Sequence, residues 1–76
     1  MDNNYRPISC SFYDRLEAAA TLGKEVHLKY FLGKDIRLVK CRIKTILIKD
    51  KIEWLLLENQ ERIRLDQIES LDGIKR

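Results

Sequence analysis

The stretch Ile36-Arg37-Leu38-Val39-Lys40-Cys41-Arg42-Ile43-Lys44-Thr45-Ile46-Leu47-Ile48 decides the fold. Its apolar residues recur every second position, the period of a half-buried strand rather than of a helix. Val39, Cys41, Ile43, Thr45 and Leu47 share one face, while Arg37, Lys40, Arg42 and Lys44 decorate the outer positions. Ile36 and Leu38 have the opposite parity, so the phase slips near Leu38 and Val39, and a bulge or sharp bend is predicted there. One long, bent strand in so short a chain points to a small curled barrel, because a flat sheet would leave its edges open.

Upstream, Val26, Leu28 and Tyr30 alternate with His27, Lys29 and Phe31, a partner strand joined through the glycine-containing turn Leu32-Gly33-Lys34-Asp35. Before it the period changes to 3.6. Phe12, Leu16, Ala19 and Ala20 form an apolar stripe, Ser11 and Asp14 form a capping-box-like pair, and Gly23 supplies a left-handed terminus. A helix is predicted over about 11–22. Tyr13, Asp14 and Glu17 lie on the arc beside the stripe, an aromatic ring with two carboxylates on one exposed patch. Acids in a first turn also favour a helix through its dipole, by ~0.3–1 kcal/mol each. Residues 1–10 read as an extended arm containing Pro7.

Downstream, Lys49-Asp50-Lys51 is a short charged connection into Ile52–Glu58, apolar on both faces and so expected to be the most buried strand. Asn59-Gln60 turns the chain into a strand over Arg62–Asp66. A last strand near Gln67–Leu71 precedes Asp72-Gly73 at the end. The connections are too short for parallel crossovers. The fold class is therefore mainly β with one N-terminal helix, a bent antiparallel five-stranded barrel forming a single domain over 11–76.

Chemistry-bearing motifs are scarce. Cys10 and Cys41 are isolated from each other and from His27, the sole histidine, so zinc-ligand spacing is absent and no cofactor is expected. The cysteines read as reduced, partly buried thiols, and His27 as a surface residue on an edge strand rather than a general base, so no enzyme is expected. No apolar run approaches the ~20 residues that span a bilayer. The start MDNNYRPIS lacks the basic and apolar regions of a signal peptide, which makes a cytoplasmic protein the expectation.

The net charge of +3 is unevenly spread. Two basic and three acidic residues up to Gly23 give −1, eight and two from Lys24 to Lys49 give +6, and five and seven from Asp50 onward give −2. Lys29, Arg37, Lys40, Arg42 and Lys44 thus form a candidate RNA-binding stripe on the first two strands. A solvated face kept charged against edge pairing is the more ordinary account of it.

Tyr5-Arg6-Pro7-Ile8-Ser9-Cys10-Ser11-Phe12-Tyr13-Asp14-Arg15-Leu16-Glu17 resembles the opening Y-x-P-I-x-C-x-x-Y-D-x-L-E of the Rho-binding antiterminator family, known as Rof or YaeO. Arg64-Leu65-Asp66 followed by Ile68 resembles that family's R-L-D-x-I. The resemblance implies an Sm-like fold and a monomeric inhibitor of Rho-dependent termination. It would bind the N-terminal RNA-binding region of Rho and block RNA entry. Carried over, Tyr13, Asp14 and Glu17 would be the contact patch, with Lys49, Asp50 and Lys51 in a second contact loop. Tyr5, Pro7 and Cys10 would hold the arm against the barrel. The alternative is an Sm-like single-stranded RNA-binding module using the basic stripe.

Overall fold

The structure, a computed structural model, describes residues 7–76, so Tyr5 and most of the expected arm lie outside the described residues. Helix α1 (Cys10–Leu22) is capped by Ser9 rather than Ser11. Ser9 has extended backbone, and its Oγ accepts from the Phe12 N–H at 3.3 Å. With the cap there, Asp14 stands in the second turn and the first turn holds no acid. The helix dipole therefore does not account for Asp14 and Glu17. Gly23 ends the helix at φ 66°, its N–H donating to the Ala20 carbonyl.

Strands β1 (Glu25–Leu32) and β2 (Asp35–Lys49) form a hairpin, followed by β3 (Ile52–Leu57), β4 (Arg62–Arg64), a 3-10 turn (Leu65–Gln67), β5 (Ile68–Leu71) and β6 (Ile74–Lys75). They make one antiparallel sheet in the order β4-β3-β2-β1-β5-β6. The expected mainly-β class with one N-terminal helix is present. There are six strands rather than five, and the sheet is curled but not closed, since β4 and β6 end it unpaired with each other. The sixth strand exists because Asp72-Gly73 is a two-residue turn, φ 50° and 82°, rather than a chain end. Asp-Gly is a strong hairpin signal for this reason: both positions need positive φ. β1 is also interior, between β2 and β5, so His27 does not sit on an edge strand.

The register slip lies elsewhere than expected. β1 and β2 pair without interruption from Glu25↔Arg42 to Leu32↔Asp35, straight through Leu38 and Val39. The shift comes between β2 and β3, from Ile43↔Leu57 to Thr45↔Leu56, leaving Lys44 as the extra residue. Beyond it the inward parity inverts. Val39, Cys41 and Ile43 face the core before the bulge and Ile46 after it, whereas Thr45, expected inward, is exposed. Ile36 and Leu38 are simply outward-facing, 55% and 71% exposed.

The core joins Phe12, Leu16 and Ala19 of α1 to Val26, Leu28 and Tyr30 of β1, Ile43, Leu55, Leu57, Ile63, Leu65, Ile68 and Leu71. The helix packs chiefly on β2. The most buried strand is β5, with Ile68, Ser70 and Leu71 enclosed, rather than β3, which encloses only Leu55 and Leu57. β3 lies beside the three-residue β4 at the end of the sheet, so Ile52, Trp54 and Leu56 keep partial contact with solvent.

The β2–β3 hairpin turns on Asp50 and Lys51, both at positive φ (53° and 66°), with no glycine to relieve the crowding. Lys51→Gly is expected to stabilise the protein by about 1 kcal/mol, raising the melting temperature by ~4–8 °C in a calorimetric scan.

Candidate functional site

The residues singled out on α1 do share one surface. Tyr13 is half-buried and packs against the core, while Asp14 and Glu17 beside it are exposed. The three fall on the helix between its buried stripe and its outward face, as their spacing requires. A fourth residue joins them from β3. Glu53, with Pro7, Ile8, Cys10, Tyr13 and Asp14, lines a shallow groove of about 330 Å³ where the start of α1 meets the β2–β3 hairpin. Burial raises the Tyr13 phenol above its ordinary ionisation range, and the nearby carboxylates of Glu17, Glu53 and Asp14 raise it further. Tyr13 is therefore a neutral hydroxyl at physiological pH, set among three negative charges.

Glu53 was not legible in the sequence, where it is one polar member of an alternating strand. Only its arrival beside Tyr13 marks it. Lys49, Asp50 and Lys51, all exposed, form the end of the same hairpin just ahead of Glu53. The second expected contact loop and the helical patch thus meet through β3.

The expected basic stripe is divided between faces. Lys29 Nζ lies 3.5 Å from Glu69 Oε1 and Lys40 Nζ 3.7 Å from Glu25 Oε1, while Arg42 donates to the Gly23 carbonyl at 3.1 Å. Arg37 has the parity of Val39 and Cys41, so it points to the other side of β2 from Lys40 and Arg42. Lys44 sits at the bulge and, with Glu17, lines the groove between α1 and β2. Lys29, Lys40 and Arg42 share the outward face of the β1–β2 hairpin, two of them beside acids, while Arg37 and Lys44 stand apart.

His27 and Asp72 are joined by two hydrogen bonds: the His27 backbone N–H donates to the Asp72 side-chain Oδ1 at 2.8 Å and the Asp72 N–H to the His27 carbonyl at 2.8 Å. This pins the Asp72-Gly73 turn to β1. Both cysteines are free; Cys10 is exposed rather than partly buried, and Cys41 is half-buried, its thiol ionisation raised by burial and then by Glu61 and Glu25. The second motif, Arg64-Leu65-Asp66, is a clamp. Arg64 donates to both carboxylate oxygens of Asp66, at 3.1 and 2.8 Å, with Leu65 fully enclosed between them. Arg76 reaches back to the Asp66 carbonyl. Among the described residues there is no cluster of metal-ligating side chains, and no helix is long and apolar enough to cross a membrane.

A family model described as "Modulator of Rho-dependent transcription termination (ROF)" matches residues 7–76. No curated protein matches the chain.

Two measurements check this geometry. In Glu17→Gln the Tyr13 ring, followed by NMR, is expected to ionise at lower pH than in the wild type, because the strongest of the carboxylate contributions is gone. The sign extends to stability. A phenol whose ionisation is raised in the fold contributes fully below about pH 10, and that contribution is lost as pH rises through the higher folded value. Asp66→Asn is expected to cost about 1–3 kcal/mol in denaturant unfolding while leaving the Tyr13 titration unchanged.

Proposed function

The chain belongs to the family of modulators of Rho-dependent transcription termination, and we propose that it acts as an inhibitor that binds the N-terminal RNA-binding region of Rho and blocks entry of RNA. The family description is a regulatory role and implies Rho as the partner. Rho-dependent termination is a cytoplasmic process in bacteria, which is where the proposed action takes place.

The observation that carries the reading is the gathering of Asp14, Glu17 and Glu53 around Tyr13 on one open surface. A site built to hold RNA offers cations and aromatic stacking surfaces. Carboxylates on a rigid helix satisfy the cations as phosphates do, and a partly exposed tyrosine ring supplies the apolar contact. Lys49, Asp50 and Lys51 extend the contact along the same hairpin. Occlusion needs no catalytic group, so one helix face with one hairpin is enough. The net positive charge does not oppose this, since several cations are already engaged by acids or carbonyls away from the patch.

Titration of the purified N-terminal domain of Rho tests it. Asp14→Lys combined with Glu17→Lys is expected to weaken binding by a factor of about 30 or more, equivalent to ~2 kcal/mol. Because both side chains are exposed, the melting curve should shift little. An oligocytidine should compete with the wild type for the domain. Undiminished binding by the double variant would remove Asp14 and Glu17 from the interface.

A further inference from the structure

The bulge at Lys44 leaves part of β2 with a partner on one side only. β3 pairs with Ile43–Lys49, β1 with Asp35–Arg42. Beyond the single bond from the Glu58 N–H to the Arg42 carbonyl, no described strand runs along the far side of residues 36–41. Which backbone groups face that opening follows from the register. The two-residue Gly33-Lys34 turn makes Leu32↔Asp35 a hydrogen-bonded pair, so odd residues of β2 bond to β1 and even residues point away. The Arg42 carbonyl obeys the rule, since it meets Glu58 on the open side. Ile36, Leu38 and Lys40 therefore present their N–H and C=O groups outward in a row.

The side chains along this edge are equally unused. Leu38 is 71% exposed and Ile36 55%. Lys34 and Arg37 have no ion-pair partner among the described residues, and Lys40 holds Glu25 only at 3.7 Å. Where β3 departs, a groove of about 250 Å³ lined by Lys40, Cys41, Arg42, Leu57, Glu58 and Asn59 continues the line of the edge.

We infer that this edge of β2 receives an extended, acidic segment of a partner protein as an added strand. Main-chain hydrogen bonds to Ile36, Leu38 and Lys40 hold the segment, its acidic residues meet Arg37 on one face of β2, and its apolar residues cover Ile36 and Leu38 on the other. Charge selects this occupant. A second copy of the chain would bring two strands, each rich in Lys and Arg, against one another, whereas an acidic strand neutralises them. The site is separate from the Tyr13 patch and stands or falls independently of it.

A capped peptide of alternating glutamate and valine, titrated into the isotope-labelled full chain, tests the proposal by NMR. The expected signature is alternation: the amides of Ile36, Leu38 and Lys40 shift on forming new hydrogen bonds, while those of Arg37 and Val39, already bonded to β1, move little. Arg37→Glu is expected to weaken this peptide at least tenfold and to bind a lysine–valine counterpart instead. Equal binding of both peptides by the wild type, or shifts confined to α1, would overturn the inference. So would larger shifts at these amides with a single-stranded RNA, or sedimentation showing the edge already filled by a second copy.

Discussion

One inserted residue organises this molecule. At Lys44 two residues of β2 oppose one of β3, and the strand bends there. A single strand can then serve two neighbours in different directions, β1 with its first half and β3 with its second. Without the insertion, Ile46 would take the exposed parity that Thr45 has now, and the two halves of the sheet could not enclose one core. The helix depends on the same bend. It lies chiefly against β2, where Phe12, Leu16 and Ala19 complete the core that the curled sheet leaves open.

The distribution of charge follows from this arrangement. Bending β2 brings the β2–β3 hairpin toward the start of α1, so that Glu53 lies near Tyr13 and Asp14. Three carboxylates then surround one half-buried ring. The same strand carries most of the basic excess, but the ladders on the two sides of β1 set Lys29 against Glu69 and Lys40 against Glu25. Exposed pairs of this kind are worth little in stability, typically ~0–1 kcal/mol. Their consequence is at longer range, since they offset positive charge on one side of the sheet and leave the acidic patch on another.

The family motifs divide by role. Tyr13, Asp14 and Glu17 point outward or lie at the surface of the core, where their chemistry is available to a partner. Arg64 and Asp66 are a partly buried ion pair that fixes the turn between β4 and β5. Ser9, inside the first motif, is the helix cap, and Ile8 packs against the core. Part of the motif therefore builds the platform, and the rest occupies it.

By itself the sequence determined the helix, the β1–β2 and β2–β3 hairpins, the antiparallel class and the family. Each rests on local information: apolar period, a glycine where the backbone needs positive φ, and residue spacing along one motif. The Asp72-Gly73 turn was equally local, and only its reading as a chain end hid the sixth strand. Tertiary structure alone decided the position of the bulge, because Ile36 and Leu38 break the apolar phase by being exposed, and periodicity cannot tell exposure from a change of register. It alone brought Glu53 to the patch, and it alone set acids beside Lys29 and Lys40, since both depend on which residues distant in the chain face each other. The open edge of β2 belongs here too: backbone groups carry no sequence signal, and whether they are paired is settled only by where the neighbouring strand ends.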